Sequence, residues 1–128
     1  MSLQSPLGRV LGKGSAKSGF HHWWVERVSG AALVPLGLWF AFAVAALPEH
    51  KYETVRQFIG QPCHAVLLVL LAATATYHSR MGLQVVVDDY VHGKGAKLVA
   101  TLLLNFIHAV LGVAMVLAVV RLSLGGAA

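Results

Sequence analysis

His78 and Arg80 interrupt a stretch that otherwise has the composition of a membrane-spanning helix, Cys63 through Val87. Placing an ionisable side chain at the centre of a bilayer costs about 2.5–3.5 kcal/mol on insertion scales, so such residues mark a function unless they are shielded. One turn beyond His78 stands Gly82, which removes the side chain that would block a flat ligand. A neutral imidazole with open space beside it can ligate a haem iron. Tyr77, Arg80 and Gln84 form a neighbouring polar strip, where Arg80 can pair with a haem propionate or a lipid phosphate. A histidine that only hydrogen-bonds between helices has the same sequence signature.

A second histidine repeats the spacing. His108 is followed by Gly112 and preceded by Asn105, at a similar depth from the same membrane face as His78. His78 and His108 can therefore clamp one haem within this chain, or one of them can pack through an interhelical hydrogen bond worth about 1 kcal/mol. Periodicity does not choose between the two. Further along, Asp88, Asp89 and Tyr90 close the same helix as His78. Tyr90 offers a phenol O–H to the carbonyl of a lipid-soluble quinone, or it serves as an interfacial anchor. Asp89 can orient that phenol, move a proton or sit solvated in the loop.

The elements that must position these groups are helices. The chain has 128 residues, 57% hydrophobic and 12% charged, about half the charged share of a soluble domain. Three apolar runs each cover the roughly 30 Å hydrocarbon layer: Val28 to Leu47, about Cys63 to Val87, and about Leu98 to Val120. Lipid offers no partners for open backbone groups, so each run is expected to be helical. The expected fold is an all-α integral membrane protein, with a polar arm over residues 1–27 and a three-helix membrane anchor over residues 28–128.

Gly8, Gly12 and Gly14 weaken any helix in the arm, although Leu3, Leu7, Val10 and Leu11 share one helical face. His21, His22, Trp23 and Trp24 fit the aromatic belt at the headgroup level. The long polar leader disfavours a cleaved signal peptide ending near Ala43-Val44-Ala45, and the absence of an Arg-rich transit peptide favours a bacterial protein or a mature chain. Three spans put the arm and the second loop on one side, with Arg9, Lys13, Lys17, Arg27, Lys94 and Lys97; the other side holds Lys51, Arg56 and Arg121. The positive-inside rule then places the N-terminus in the cytoplasm and the C-terminus outside. The net charge of +5 reflects this topology and lipid headgroups rather than nucleic acid.

Gly37, Ala41 and Ala45 give the first helix a small-xxx-small face for close packing, and Pro35 is a candidate kink. Cys63 alone makes neither a disulfide nor a CxxC metal site. No nucleotide-binding loop, hydrolytic triad or zinc motif is present. Three helices make a thin bundle for shielding His78 and Arg80, so a second membrane subunit is expected.

Taken together, these stretches resemble the small cytochrome b556 membrane-anchor subunit of succinate dehydrogenase (respiratory complex II). The resemblance is carried by His78-x-x-x-Gly82-x-Gln84-Val85-x-x-x-Asp89-Tyr90-Val91, and more weakly by His22-Trp23-Trp24-Val25-Glu26-Arg27-Val28 before the first helix. It implies a bacterial cytoplasmic (inner) membrane location and pairing with a cytochrome b large subunit, with the iron–sulfur and flavoprotein subunits on the inner side. FAD and the iron–sulfur clusters would reside in those partners, and electrons from succinate would pass through them to ubiquinone or another quinone, with haem b nearby. On this resemblance His78 is one axial ligand of the haem iron and the cytochrome b large subunit supplies the other, which leaves His108 to packing. Tyr90 would bind the quinone carbonyl with Asp89 beside it. Arg27, near the inner face, becomes a candidate for propionate contact. Succinate chemistry would lie outside this chain. A self-contained bis-histidine cytochrome b, or a small transporter or accessory membrane subunit, are the alternatives.

Overall fold

The computed structural model describes residues 19–125. The expected polar arm lies outside the described residues over positions 1–18. The described chain forms four helices: α1 (Gly19–Ala45), α2 (Tyr52–Gly60), α3 (Pro62–Tyr90) and α4 (Lys94–Ser123). Three of them, α1, α3 and α4, are long and apolar enough to cross a membrane. Each extends beyond its apolar run. α1 starts at Gly19, so His21 to Trp24 occupy its first turns, where Phe20, Trp23 and Trp24 cluster with ring centroids 6.3–6.4 Å apart. Hydropathy falls off at the headgroups, but the backbone still gains by satisfying its N–H and C=O groups internally.

α3 is the central element. It packs against both α1 and α4, and among the described residues α1 and α4 make no backbone approach to one another. Pro62 opens α3 at a position where its fixed φ suits a helix and its missing N–H costs nothing. Pro35 sits inside an unbroken α1. Gly125, with φ at +71°, follows α4 in the left-handed conformation that glycine tolerates.

A ladder of polar pairs runs down the α3–α4 seam. Lys97 Nζ meets an Asp88 carboxylate oxygen at 2.7 Å. Deeper, Gln84 Nε2 donates to Thr101 Oγ1 at 3.3 Å, and Arg80 Nε donates to Asn105 Oδ1 at 2.5 Å. Ser79 Oγ and His108 Nε2 lie 3.3 Å apart beyond them. Through the first three pairs the positions on α3 recede by four as those on α4 advance by four, which fixes one antiparallel register. At the far end a Cβ on Gly112 would come within 3.2 Å of Thr76 Cγ2, so glycine permits the close crossing there.

The loop expected between Pro48 and Pro62 contains α2, a helix that the mixed charge of this segment obscures. Val55, Phe58 and Ile59 recur at helical spacing on the side opposite Glu53 and Gln57. Phe58 stacks on His64 at 4.1 Å between centroids, and Trp39 joins them at 5.8–6.3 Å. His64 Nδ1 lies 3.0 Å from the Phe58 carbonyl oxygen, which fastens the end of α2 to the start of α3.

Candidate functional site

His78 sits on the side of α3 turned toward α1. Its Nδ1 lies 3.0 Å from Ser29 Oγ, and Ser29 is buried at 8% exposure. The imidazole lies against α1 at Gly30, where a Cβ would approach His78 Cε1 to 3.1 Å. Among the described residues the other ring nitrogen, Nε2, has no hydrogen-bond partner. The ring borders a cleft of about 290 Å³ lined also by Glu26, Arg27, Gly30, Ala31 and Val34. Arg27 lies over the Trp23 ring at 5.7 Å.

At 100° per residue Gly82, Val85 and Asp89 fall within about 40° of His78. Val86 and Tyr90, which are 49% and 77% exposed, lie about 80° and 120° round the helix from His78. A Cβ on Gly82 would meet nothing within 4 Å. Open space therefore lies at Gly82, one turn along α3 from His78, whereas the imidazole itself is packed against α1. Asp89 and Tyr90 stand at the C-terminal end of α3, about 17–18 Å of helical rise from His78. Both are exposed. Their neighbour Asp88 is held by Lys97 at 2.7 Å and by Gln84 Nε2 at 3.3 Å. That difference separates the two adjacent acids: Asp88 belongs to the α3–α4 seam and Asp89 lies outside it.

Arg80 and His108 lie on the other side of α3. They share a groove of about 620 Å³ with Tyr77, Asn105 and Gly112, between α3 and α4. His108 is buried at 8% exposure, with Nδ1 2.9 Å from the Leu104 carbonyl oxygen and Nε2 facing Ser79. Both of its ring nitrogens are occupied within the chain. The structure therefore brings Arg27 to the cleft of His78, keeps Arg80 with Asn105, and sets the two histidines in separate grooves.

Among the described residues no three His, Cys, Asp or Glu side chains converge on a metal position. Toward a metal this site can act through the single nitrogen of His78, with the remaining ligands brought by a carrier or another chain. Arg27 lines the same cleft as His78, and the open position at Gly82 lies one turn further along α3. Ser29 and Gly30 shape the seat of His78 and are absent from the sequence-derived site: a small polar residue within an apolar run carries no spacing signal of its own. Gly112, which sequence spacing pairs with His108, instead serves the crossing with Thr76.

The three long apolar helices, with little of the described chain buried, define a multi-pass membrane protein. Residues 1–121 match the family of succinate dehydrogenase/fumarate reductase transmembrane subunits. The chain belongs to this family. It is 32% identical over 125 residues to the succinate dehydrogenase hydrophobic membrane anchor subunit of Paracoccus denitrificans, covering 98% of this chain and 96% of that protein. The corresponding subunit of Rickettsia bellii is 29% identical over 89 residues, covering 70% and 71%. The succinate dehydrogenase membrane anchor subunit of Reclinomonas americana is 30% identical over 94 residues, covering 71% and 78%. No solved structure matches.

Proposed function

We propose that this chain is the small anchor subunit of a succinate:quinone oxidoreductase, holding one side of a haem b and one wall of a quinone site. The observation that carries this reading is the state of His78: Nδ1 is bonded to Ser29, and Nε2 is unpartnered among the described residues, on a helix that also bears the open position Gly82 and the exposed Asp89 and Tyr90. A bound haem would supply a one-electron redox centre. His78 Nε2 would hold its iron from this chain, and a histidine of the large cytochrome b subunit would hold it from the other. Arg27 pairs with a propionate, because it lines the cleft of His78, whereas the Nε of Arg80 is committed to Asn105.

Tyr90 donates its phenol O–H to a quinone carbonyl oxygen at the inner membrane face. That hydrogen bond stabilises negative charge as it develops on the oxygen during reduction. Asp89, adjacent and solvent-accessible, passes a proton toward the same oxygen. The iron–sulfur and flavoprotein subunits, with their clusters and FAD, dock on the side that carries the basic N-terminal arm and the α3–α4 loop. On the positive-inside rule this is the cytoplasmic side of a bacterial inner membrane. Succinate itself is oxidised in those partners, and this chain has no part in that step.

Gentle detergent extraction of the tagged chain tests the reading. Co-purification of a second membrane subunit, the two soluble subunits and a low-spin haem b is expected. A haem-free preparation without succinate–quinone activity would refute it and favour an accessory or transport role.

A further inference from the structure

The contacts of Ser29 determine more than the position of the His78 ring. Ser29 Oγ lies 3.0 Å from the Glu26 carbonyl oxygen and 3.0 Å from His78 Nδ1. A serine hydroxyl has one proton to donate. A carbonyl oxygen can only accept, so both contacts are hydrogen bonds at once only when the hydroxyl donates to Glu26 and accepts from Nδ1–H. In a neutral ring this leaves Nε2 bare, with its lone pair free for a metal. The opposite tautomer would turn the hydroxyl toward Nδ1 and give up its bond to the Glu26 carbonyl.

We propose that Ser29 is a positioning residue that selects the Nδ1–H tautomer of His78 and so makes Nε2 the iron-binding nitrogen. The inference rests on the reading of His78 as a haem ligand. Gly30 completes the device: with no Cβ, α1 lets the ring lie against its backbone at a distance that any other residue would contest. Ser29 is buried, so water does not compete for its lone pairs. A hydrogen bond donated from the far side of an imidazole to an acceptor raises the basicity of the ligating nitrogen and fixes the ring's orientation. Greater basicity favours the ferric state, so the serine holds the haem potential down.

The test uses the assembled complex with Ser29→Ala, Ser29→Thr and His78→Ala, reading haem per complex, the haem midpoint potential by optical redox titration, and the low-spin ferric electron paramagnetic resonance g-values. Removing the hydrogen-bond partner behind a ligating histidine lowers metal affinity by about 10–100-fold, so Ser29→Ala should reduce haem content. The haem that remains should show a more positive potential and shifted g-values. Ser29→Thr, which keeps the hydroxyl, should restore all three. Unchanged content, potential and g-values in Ser29→Ala, with haem lost in His78→Ala, would overturn the role of Ser29 alone. Equal perturbation by alanine and threonine would also overturn it, since packing rather than the hydroxyl would then be the cause. Retention of the wild-type haem spectrum in His78→Ala would instead overturn the ligand assignment beneath it.

Discussion

The two central histidines differ in which ring nitrogens have partners. His108 spends both on Leu104 and Ser79 inside the α3–α4 seam, whereas His78 spends one on Ser29 and leaves the other without a partner among the described residues. Gly30→Ala places a methyl 3.1 Å from His78 Cε1, and on the proposed reading a ring held by Ser29 on one side and iron on the other would have little freedom to yield. The substitution should lower haem occupancy of the complex, measured by the pyridine haemochrome assay. Tyr90→Phe should slow quinone reduction about tenfold, as expected for one lost hydrogen bond of about 1.4 kcal/mol in the transition state. Succinate oxidation by a water-soluble artificial acceptor should stay near wild type; equal loss of both activities would locate the defect in assembly. His78, Asp89 and Tyr90 are legible in the sequence because ionisable and phenolic groups stand out in an apolar helix. Ser29 and Gly30 are not, because their importance depends on which turn of α1 meets His78, a tertiary fact that hydropathy does not encode.

At the scale of elements, the α3–α4 hairpin is specified by its polar ladder more than by hydrophobic burial, since lipid is as apolar as the side chains it would replace. Asn105→Leu strands the half-buried Arg80 guanidinium and should destabilise the complex by about 1–2 kcal/mol. The double substitution Arg80→Leu with Asn105→Leu removes the stranded charge and should recover much of that loss. Thermal unfolding of the detergent-solubilised complex reads both; a double variant no better than Asn105→Leu would argue against the pairing. Gly112→Val should lower the same unfolding temperature by forcing Thr76 aside, at a cost of about 1–3 kcal/mol. The three spans are readable from length and apolar composition alone. Their ends are not, because the helices run on into the headgroup region where Trp23, Asp88 and Lys94 replace aliphatic residues. α2 is hidden because a short segment of mixed charge looks like a loop, although Val55, Phe58 and Ile59 hold a helical spacing.

At the scale of the whole molecule, very little of the described chain is buried: Met81, Ser29 and His108 alone fall within a core. Gly37 on α1 and Gly82 on α3 have nothing within reach of a Cβ, so the small-residue face of α1 and the site face of α3 are both available to neighbours. A chain built this way is expected to be one part of a larger membrane assembly. Expressed without its partners, it should be rapidly degraded or elute as a polydisperse aggregate on size-exclusion chromatography in mild detergent. Family membership agrees with that picture, and the second-span motif points to it because its polar spacing is unusual for a purely structural helix. Everything proposed for the site depends on His78 rather than His108 meeting the iron. The most direct measurement is the dithionite-reduced minus oxidised optical spectrum of the purified complex carrying His78→Ala or His108→Leu. Loss or marked alteration of the haem b bands in the first, with wild-type bands in the second, is the predicted result. Intact bands in His78→Ala, or their loss in His108→Leu from a fully assembled complex, would contradict it.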